Sequence, residues 1–402
     1  MARRPRNPWL ATLDALTRSA RRAQRTARKN PLAVAAERSA RKMAKQAARQ
    51  TERQIRQAGE QWRRVTGQAI DATRQAGQRQ ARRAADLTRQ ALTGVVTPVD
   101  APLATSGGQW SEGRWTVGPL AGRRYRLFRP DGLAARTPVP LLVLLHGCGQ
   151  DSACIAVSTR VARLACSQRF IALLPEQPVQ ANAQRCWNWF RGDAFAAGES
   201  TLVMQIIEHV ARRHPVDRDR IYALGLSAGA TMATTLALRY PDRIRAVASH
   251  SGPLPFSARN AADTARSMHG HPRIHDMAVL AALRGRCPPP LLILQGDRDP
   301  VIDARNADQL AALWLSAHPA AGASAAALTS RPPQVQQRGE RYPMRITDWP
   351  DPAAVRRRAP YVRLVLIEGL DHAWSGGAAR QAFSDPKGPD ALKLAWRFFT
   401  AG

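Results

Sequence analysis

Ile221-Tyr222-Ala223-Leu224-Gly225-Leu226-Ser227-Ala228-Gly229, running into Ala230–Arg239, is the stretch whose reading decides the fold. Ile221–Leu224 is a short apolar run of the kind that forms a buried strand, and the residues from about Ala230 are apolar at helical period. Between them lies Gly-x-Ser-x-Gly, so the motif sits in a strand–turn–helix context, the setting of a nucleophile elbow. The turn is sharp, and a Cβ at either glycine position would collide with the neighbouring strand or helix. It lifts the Ser227 hydroxyl clear of the sheet, while the start of the helix aims backbone N–H groups at the same point.

Outward from this stretch the texture repeats. Tyr125–Phe128, Leu141–Leu145, Ile171–Leu174, Ala246–Ser249, Leu291–Leu294 and Leu364–Ile367 read as strands, and Thr201–Arg213 reads as a helix between two of them. Short, fully apolar strands separated by helices predict a parallel sheet covered on both faces, a doubly wound α/β domain over residues 121–402.

A serine hydroxyl needs a base, and the base needs an orienting carboxylate. In this architecture the expected chain order is Ser, then Asp or Glu, then His. Leu364–Ile367 runs into Glu368-Gly369-Leu370-Asp371-His372, which makes His372 the expected base. Leu291–Leu294 runs into a loop holding Asp297, Asp299 and Asp303. Asp299 fits the acid best, followed as it is by the rigid Pro300; Asp297 also reads as a turn cap and Asp303 as a helix N-cap.

A tetrahedral intermediate needs two donors for its oxyanion. The expected donors are the N–H of Ala228, next to the serine, and that of Cys148 in His146-Gly147-Cys148-Gly149-Gln150, with His146 bracing the loop. Cys148 itself reads poorly as a nucleophile, because it lies in a loop rather than an elbow. His269, His271 and His275 have no carboxylate at ligand spacing beyond Asp276, so neither a metal nor a cofactor is expected.

The remainder of the chain has a different composition. Of 402 residues, 60 are Lys or Arg and 30 Asp or Glu, a net charge of +30. Residues 1–99 hold 23 of the bases against 6 acids, so a quarter of the chain carries +17. Residues 1–96 read as a basic, helical and partly disordered extension rich in Ala, Arg and Gln. Within it a first helix is expected over Pro8–Lys29, and a thin apolar seam runs along Ile55, Ala58, Trp62, Val65, Ala69, Ala72 and Ala76. Such a segment reads either as a solvated tail or as a docking element for an anionic surface: a storage granule, an anionic membrane or, less well supported, nucleic acid. Residues 97–120, rich in Pro and Gly, read as a linker, and Ala317–Arg358 as a variable excursion. No apolar run reaches the ~18 residues needed to cross a bilayer. No signal-like apolar stretch follows the N-terminus, and Cys148, Cys154, Cys166, Cys186 and Cys287 form no disulfide framework, so the chain reads as cytoplasmic.

Taken together, these motifs resemble the poly(3-hydroxybutyrate) depolymerase family of esterases, which have the α/β-hydrolase fold. The resemblance covers Arg124 to Phe399 and rests on His146–Gln150, Pro175-Glu176-Gln177, Cys186-Trp187-Asn188-Trp189-Phe190, Gly225–Gly229, Gly296–Val301 and His372-Ala373-Trp374-Ser375-Gly376-Gly377. The elbow is generic to the fold, whereas the Cys-Trp-Asn-Trp and His-Ala-Trp-Ser-Gly-Gly stretches are far more specific. It implies ester hydrolysis by Ser227, Asp299 and His372, with the oxyanion histidine before the serine as in the type 1 arrangement. It also implies a site for an ester substrate, in which Trp187, Trp189 and Trp374 serve either as core or as an apolar platform. The family pattern brings Cys148 and Cys186 close together, and they pair or stay reduced according to the compartment. Feruloyl and acetylxylan esterases belong to the same family, so substrate does not follow from fold. A binding protein attached to granule or nucleoid, with hydrolysis secondary, is the expectation from another class.

Overall fold

The computed structural model describes residues 107–117, 121–134, 136–273, 276–322, 328–351 and 360–401. These belong to a unit spanning Gly94–Gly402. The expected helix over Pro8–Lys29 and the seam from Ile55 to Ala76 lie outside the described residues.

Ten strands form one sheet. In chain order they are β1 (Gly108–Val117), β2 (Ala121–Pro130), β3 (Val139–Leu145), β4 (Ile171–Pro175), β5 (Val216–Leu226), β6 (Ala246–His250), β7 (Leu291–Gly296), β8 (Gln334–Gln336), β9 (Met344–Trp349) and β10 (Val362–Ile367). Their spatial order is β1-β2-β4-β3-β5-β6-β7-β10-β9-β8. From β4 to β10 every pairing is parallel, and the strands at both edges are antiparallel.

The central strands are apolar on both faces because both faces are covered. All seven residues of β3 are buried. Alternate side chains enter opposite layers. Leu141, Val143 and Leu145 join Ile206, Ile207 and Val210 of α3 (Asp193–Arg213) and Met232 and Leu236 of α4 (Ala228–Arg239). Leu142 and Leu144 join Ile155 of α1 (Ser152–Thr159), Val161 of α2 (Val161–Gln168) and Trp396 and Phe399 of α8 (Ala391–Thr400). Each buried Leu, Ile or Val contributes roughly 1.5–3 kcal/mol of transfer free energy, so the double-sided pattern fixes the architecture. Three further helices, α5 (Ala261–Met268), α6 (Asp276–Leu283) and α7 (Arg305–Ser316), follow β6 and β7.

Every strand expected from the sequence is present, and α4 starts at Ala228, two residues earlier than its periodicity suggested. Two expectations need correction. Residues 108–117 are not linker but strand β1, paired along its whole length with β2. Its glycines misled: a Cβ on Gly108 would lie 2.3 Å from the Phe128 ring, and one on Gly113 would lie 2.2 Å from Tyr125. Here glycine leaves room for a cross-strand aromatic ring, as strand glycines often do. The excursion Ala317–Arg358 likewise contains β8 and β9, which extend the sheet past β10. Their polar sequences, Gln-Val-Gln and Met-Arg-Ile-Thr-Asp-Trp, suit edge strands that face water and lack the apolar run of a central strand.

Candidate active site

The strand order β3-β5-β6-β7-β10 brings five carboxyl ends side by side, and ligands of open α/β sheets bind at such ends. They carry, in turn, the loop from His146, Ser227, His250, Asp299 and His372.

Ser227 follows the last residue of β5 and has φ 55° and ψ −124°. A non-glycine residue in this region carries of order 1–3 kcal/mol of strain, and such strain clusters at functional sites. The two flanking glycines permit it. A Cβ on Gly225 would lie 2.2 Å from the Gly229 backbone, and one on Gly229 would lie 2.3 Å from the Leu145 carbonyl oxygen. The Ser227 N–H donates to the His250 carbonyl at 2.9 Å, tying the turn to the neighbouring strand.

Of the three candidate acids, the structure brings Asp299 to His372, with Nδ1 to Oδ2 at 2.7 Å. Val301 and Ile302 N–H groups donate to Asp299 Oδ1 at 2.9 and 2.8 Å, and Gln295 Nε2 reaches Oδ2 at 3.3 Å. Burial pushes this carboxyl up, but His372 and the backbone donors outweigh it and hold it below its ordinary value. Asp297 instead accepts from Gly369 N–H at 2.6 Å, clipping the two strand-end loops together. Asp303 holds the Arg305 N–H at 2.9 Å at the start of α7, and the Arg305 side chain pulls its carboxyl down to about 2.

The loop after β3 approaches the serine: a Cβ on Gly147 would lie 3.5 Å from Ser227 Cβ. Ala228 opens α4, where the first N–H groups have no intrahelical acceptor. Among the described residues the Cys148 N–H has no acceptor either. His146 is fully buried and braces the loop as expected. Its Nε2 accepts from Gln177 N–H at 3.1 Å, so Nδ1 carries the proton and donates to the Gly147 carbonyl at 2.8 Å. Burial pushes its pKa down, which keeps the ring neutral.

Cys148 and Cys186 are joined by a disulfide across 38 residues of chain. Beneath it lies a buried polar cluster that sequence reasoning missed. Glu199 of α3, 5% exposed, accepts from Gln177 Nε2 at 2.5 Å, Asn188 Nδ2 at 2.7 Å and Asn188 N–H at 2.7 Å. Arg123 lies 3.5 Å from it. The signal that could have found Glu199 is an acid inside an otherwise apolar helical stretch, opposite the amides Gln177 and Asn188.

The tryptophans are core rather than platform. Trp187, Trp189 and Trp374 are 1%, 5% and 0% exposed. Trp187 Nε1 donates to the His146 carbonyl at 3.0 Å, and the Trp374 ring stacks on His250 with centroids 5.3 Å apart. The reading of these three as substrate-contacting residues is therefore corrected: an indole N–H buries readily once it has an acceptor, and these rings steady the loops behind the site.

His250, at the end of β6, packs behind the same strand ends. It is fully buried, and its Nε2 accepts from Ser375 N–H at 3.1 Å. Burial, then the neighbouring His372, push its pKa down to about 3 against the pull of Asp299. It stays neutral and links the serine turn to the loop that carries His372. His271 Nε2, by contrast, lies 3.2 Å from the Arg305 guanidinium, which Asp303 also holds. His275 lies outside the described residues.

A mostly parallel sheet, helices on both faces and a strained serine at the tip of its strand–turn–helix define an α/β-hydrolase. The comparisons agree with that class. The family model described as Esterase PHB depolymerase matches residues 123–334, and the chain belongs to this family of esterases. Poly(3-hydroxyalkanoate) depolymerase C of Paucimonas lemoignei is 37% identical over 125 residues, 31% of this chain and 30% of the relative. Feruloyl esterase B of Neurospora crassa is 29% identical over 141 residues, 34% of this chain and 46% of the relative. The chain thus spans between about a third and a half of these relatives' lengths. Among solved structures, an acetyl xylan esterase from Aspergillus awamori superposes with a TM-score of 0.55 at 15% identity, covering 73% of this chain and all of that one. Among the described residues no helix is long and apolar enough to cross a membrane.

Proposed function

We propose that this chain is a serine esterase that hydrolyses poly(3-hydroxybutyrate) or its oligomers. The observation that carries the reading is the 2.7 Å His372–Asp299 pair at the same end of the parallel sheet as the strained Ser227. With Nδ1–H donated to Asp299, His372 presents its Nε2 as a base. Ser227 Oγ attacks the ester carbonyl carbon, and its proton passes to that nitrogen. The N–H groups of Ala228 and Cys148 receive the oxyanion. Collapse of the intermediate breaks the ester C–O bond, and the leaving alkoxide takes the proton from His372. Water then attacks the acyl-enzyme with His372 again as base, releasing the carboxylic acid and restoring Ser227.

Feruloyl or acetylxylan ester hydrolysis is the second reading, because relatives with those names match at 29% and 28% identity over segments of similar length. The deciding experiment compares release of soluble acid from amorphous poly(3-hydroxybutyrate) granules, hydroxybutyrate oligomers, feruloyl esters and acetylated xylan. Faster turnover of the last two overturns the first reading.

We further propose that the +17 of residues 1–99 attaches the enzyme to an anionic granule surface in the cytoplasm. Attachment raises local substrate concentration without altering the chemistry. Granule binding should then fall with salt, since the Debye length is only about 8 Å at physiological ionic strength. Binding that ignores salt sinks the idea. A cytoplasmic site also has to work with Cys148 and Cys186 as thiols, because reducing compartments keep them so. Loss of all activity in reductant would therefore move the enzyme to an oxidising compartment.

A further inference from the structure

A second concave site lies at the far edge of the sheet, between β8–β9–β10 and α8. It is a groove of about 350 Å³ lined by Arg331, Arg338, Arg341, Arg363, Lys393 and Arg397, with Tyr342, Met344, Ile346 and Leu394 as apolar wall. Among the described residues only two acids face it, Asp348 and Asp390. Asp348 is taken by Arg363 through two bonds of 2.7 Å, and Asp390 lies 3.6 Å from Lys393. Arg331, Arg338, Arg341 and Arg397 are left without an acidic partner among the described residues. Elsewhere on the described surface many arginines are neutralised: Glu112 holds Arg124 and Arg126, Glu208 holds Arg218 and Arg243, and Asp217 holds Arg220. Here four guanidinium groups converge on one hollow.

We propose that this groove binds an organic phosphate: a soluble anion with two or more phosphate charges and a flat or apolar body. Planar guanidinium forks match phosphate oxygens bidentately, better than point charges would. The volume lies within the range of small-ligand sites, and the apolar wall gives the organic part somewhere to rest. The N-terminal extension is a poor occupant on charge alone, since it is itself strongly basic.

The groove also touches the segment that carries the proposed base. Arg341 donates to the Gly388 carbonyl at 2.6 Å, Tyr342 Oη to Asp385 at 3.1 Å, and Ser375 Oγ to the Pro389 carbonyl at 2.7 Å. Ser375 N–H in turn donates to His250. An anion that drew Arg341 off Gly388 would be felt along this segment.

The test is calorimetric titration of the full chain with ADP, inorganic diphosphate, adenosine and citrate at physiological salt, alongside phosphatidylglycerol vesicles. Arg341→Gln/Arg397→Gln removes two groove charges, and Arg218→Gln/Arg220→Gln removes two at a distant surface. Thermal melts check that both double variants fold, and exposed substitutions of this kind should change stability little. Saturable ADP and diphosphate binding, weakened at least about tenfold by the groove pair and hardly by the distant pair, is expected, since the pair removes two charge-assisted donors. Adenosine and citrate should bind at least about tenfold more weakly than ADP, by the same lost bonds. Equal weakening by both pairs would reduce the effect to net charge and overturn the proposal. So would citrate matching ADP, no saturation at about millimolar ligand, or vesicles alone responding to the groove pair.

Discussion

Replacing Asp299 with Asn tests the proposed base–acid pair with almost no change in volume. The native carboxylate takes Val301 and Ile302 N–H groups on Oδ1 and His372 and Gln295 on Oδ2. All four partners are donors. An asparagine can satisfy the two backbone groups with its carbonyl oxygen only by placing its NH₂ where Oδ2 stood, facing His372 Nδ1 and Gln295 Nε2. His372 then has to accept at Nδ1 and carry its proton on Nε2, the tautomer that cannot take a proton from Ser227. In serine hydrolases an equivalent loss costs about 10⁴ in turnover. Two of the four bonds survive here, so kcat on a soluble p-nitrophenyl ester should fall about 10³–10⁴-fold, or roughly 4–5.5 kcal/mol of barrier. KM should move little. Asp297→Asn, which touches only the Gly369 clip, should keep most of the activity. An Asp299→Asn enzyme within tenfold of wild type, or a crippled Asp297→Asn enzyme, refutes the assignment. The same carboxyl predicts a pH effect on stability. Its folded pKa lies below the unfolded value of about 3.9, so its contribution is present above that pH and disappears as pH falls through the folded value. Asp299→Asn should therefore lose less stability than wild type on acidification below about pH 4, read by urea unfolding.

Ser227→Gly should abolish turnover yet raise stability by about 1 kcal/mol over Ser227→Ala, because glycine relieves the strain at φ 55° and alanine does not; equal stability of the two would remove the strain argument. Reducing the Cys148–Cys186 disulfide should lower unfolding free energy by about 4 kcal/mol, the loop-entropy value for 38 residues. Turnover should drop less than about tenfold, roughly one surplus bond's worth, because His146 and Trp187 hold the loop independently; complete inactivation would show that the bridge alone sets the Cys148 amide. Glu199→Ala should destabilise by about 3–5 kcal/mol in chemical unfolding, since Gln177, Asn188 and Arg123 lose their shared acceptor; a loss below 1 kcal/mol would mean water replaces it.

The central strands were legible in the sequence because burial on both faces leaves an uninterrupted apolar signature. The edges were not. In β1 the strand signal is broken by Gly108 and Gly113, whose missing side chains are replaced by Phe128 and Tyr125 from a neighbour twelve or more residues away. β8 is exposed along its length and β9 alternates polar with apolar residues, so neither shows the continuous apolar run of a central strand. The places of Ser227 and His372 just after apolar strands were legible in the sequence. Among Asp297, Asp299 and Asp303 the sequence favoured Asp299 only through Pro300, since all three are short acids in a turn; which donor each meets follows from the loop's path. The tryptophans misled for a related reason: an aromatic residue beside a motif looks the same in sequence whether its face meets substrate or its N–H meets a carbonyl.

The loop that carries the Cys148 amide is secured more heavily than folding alone would ask. The disulfide fixes its tip, His146 fixes its base through Gln177, and Trp187 holds the His146 carbonyl. Gln177 and Asn188 are in turn held by one buried carboxylate. Burying Glu199 with its partners is costly, and replacing the whole cluster by apolar side chains of similar volume would serve stability as well or better. What an apolar side chain cannot do is fix the direction of three donors at once. A backbone N–H stabilises an oxyanion only if it is already aimed when the charge forms, because turning a dipole during the reaction would give back the energy gained. On the proposed oxyanion role of Cys148, the buried polar cluster makes physical sense as the support of an amide that must not move, and the Pro-Glu-Gln and Cys-Trp-Asn-Trp stretches are the parts of that support that show in the sequence.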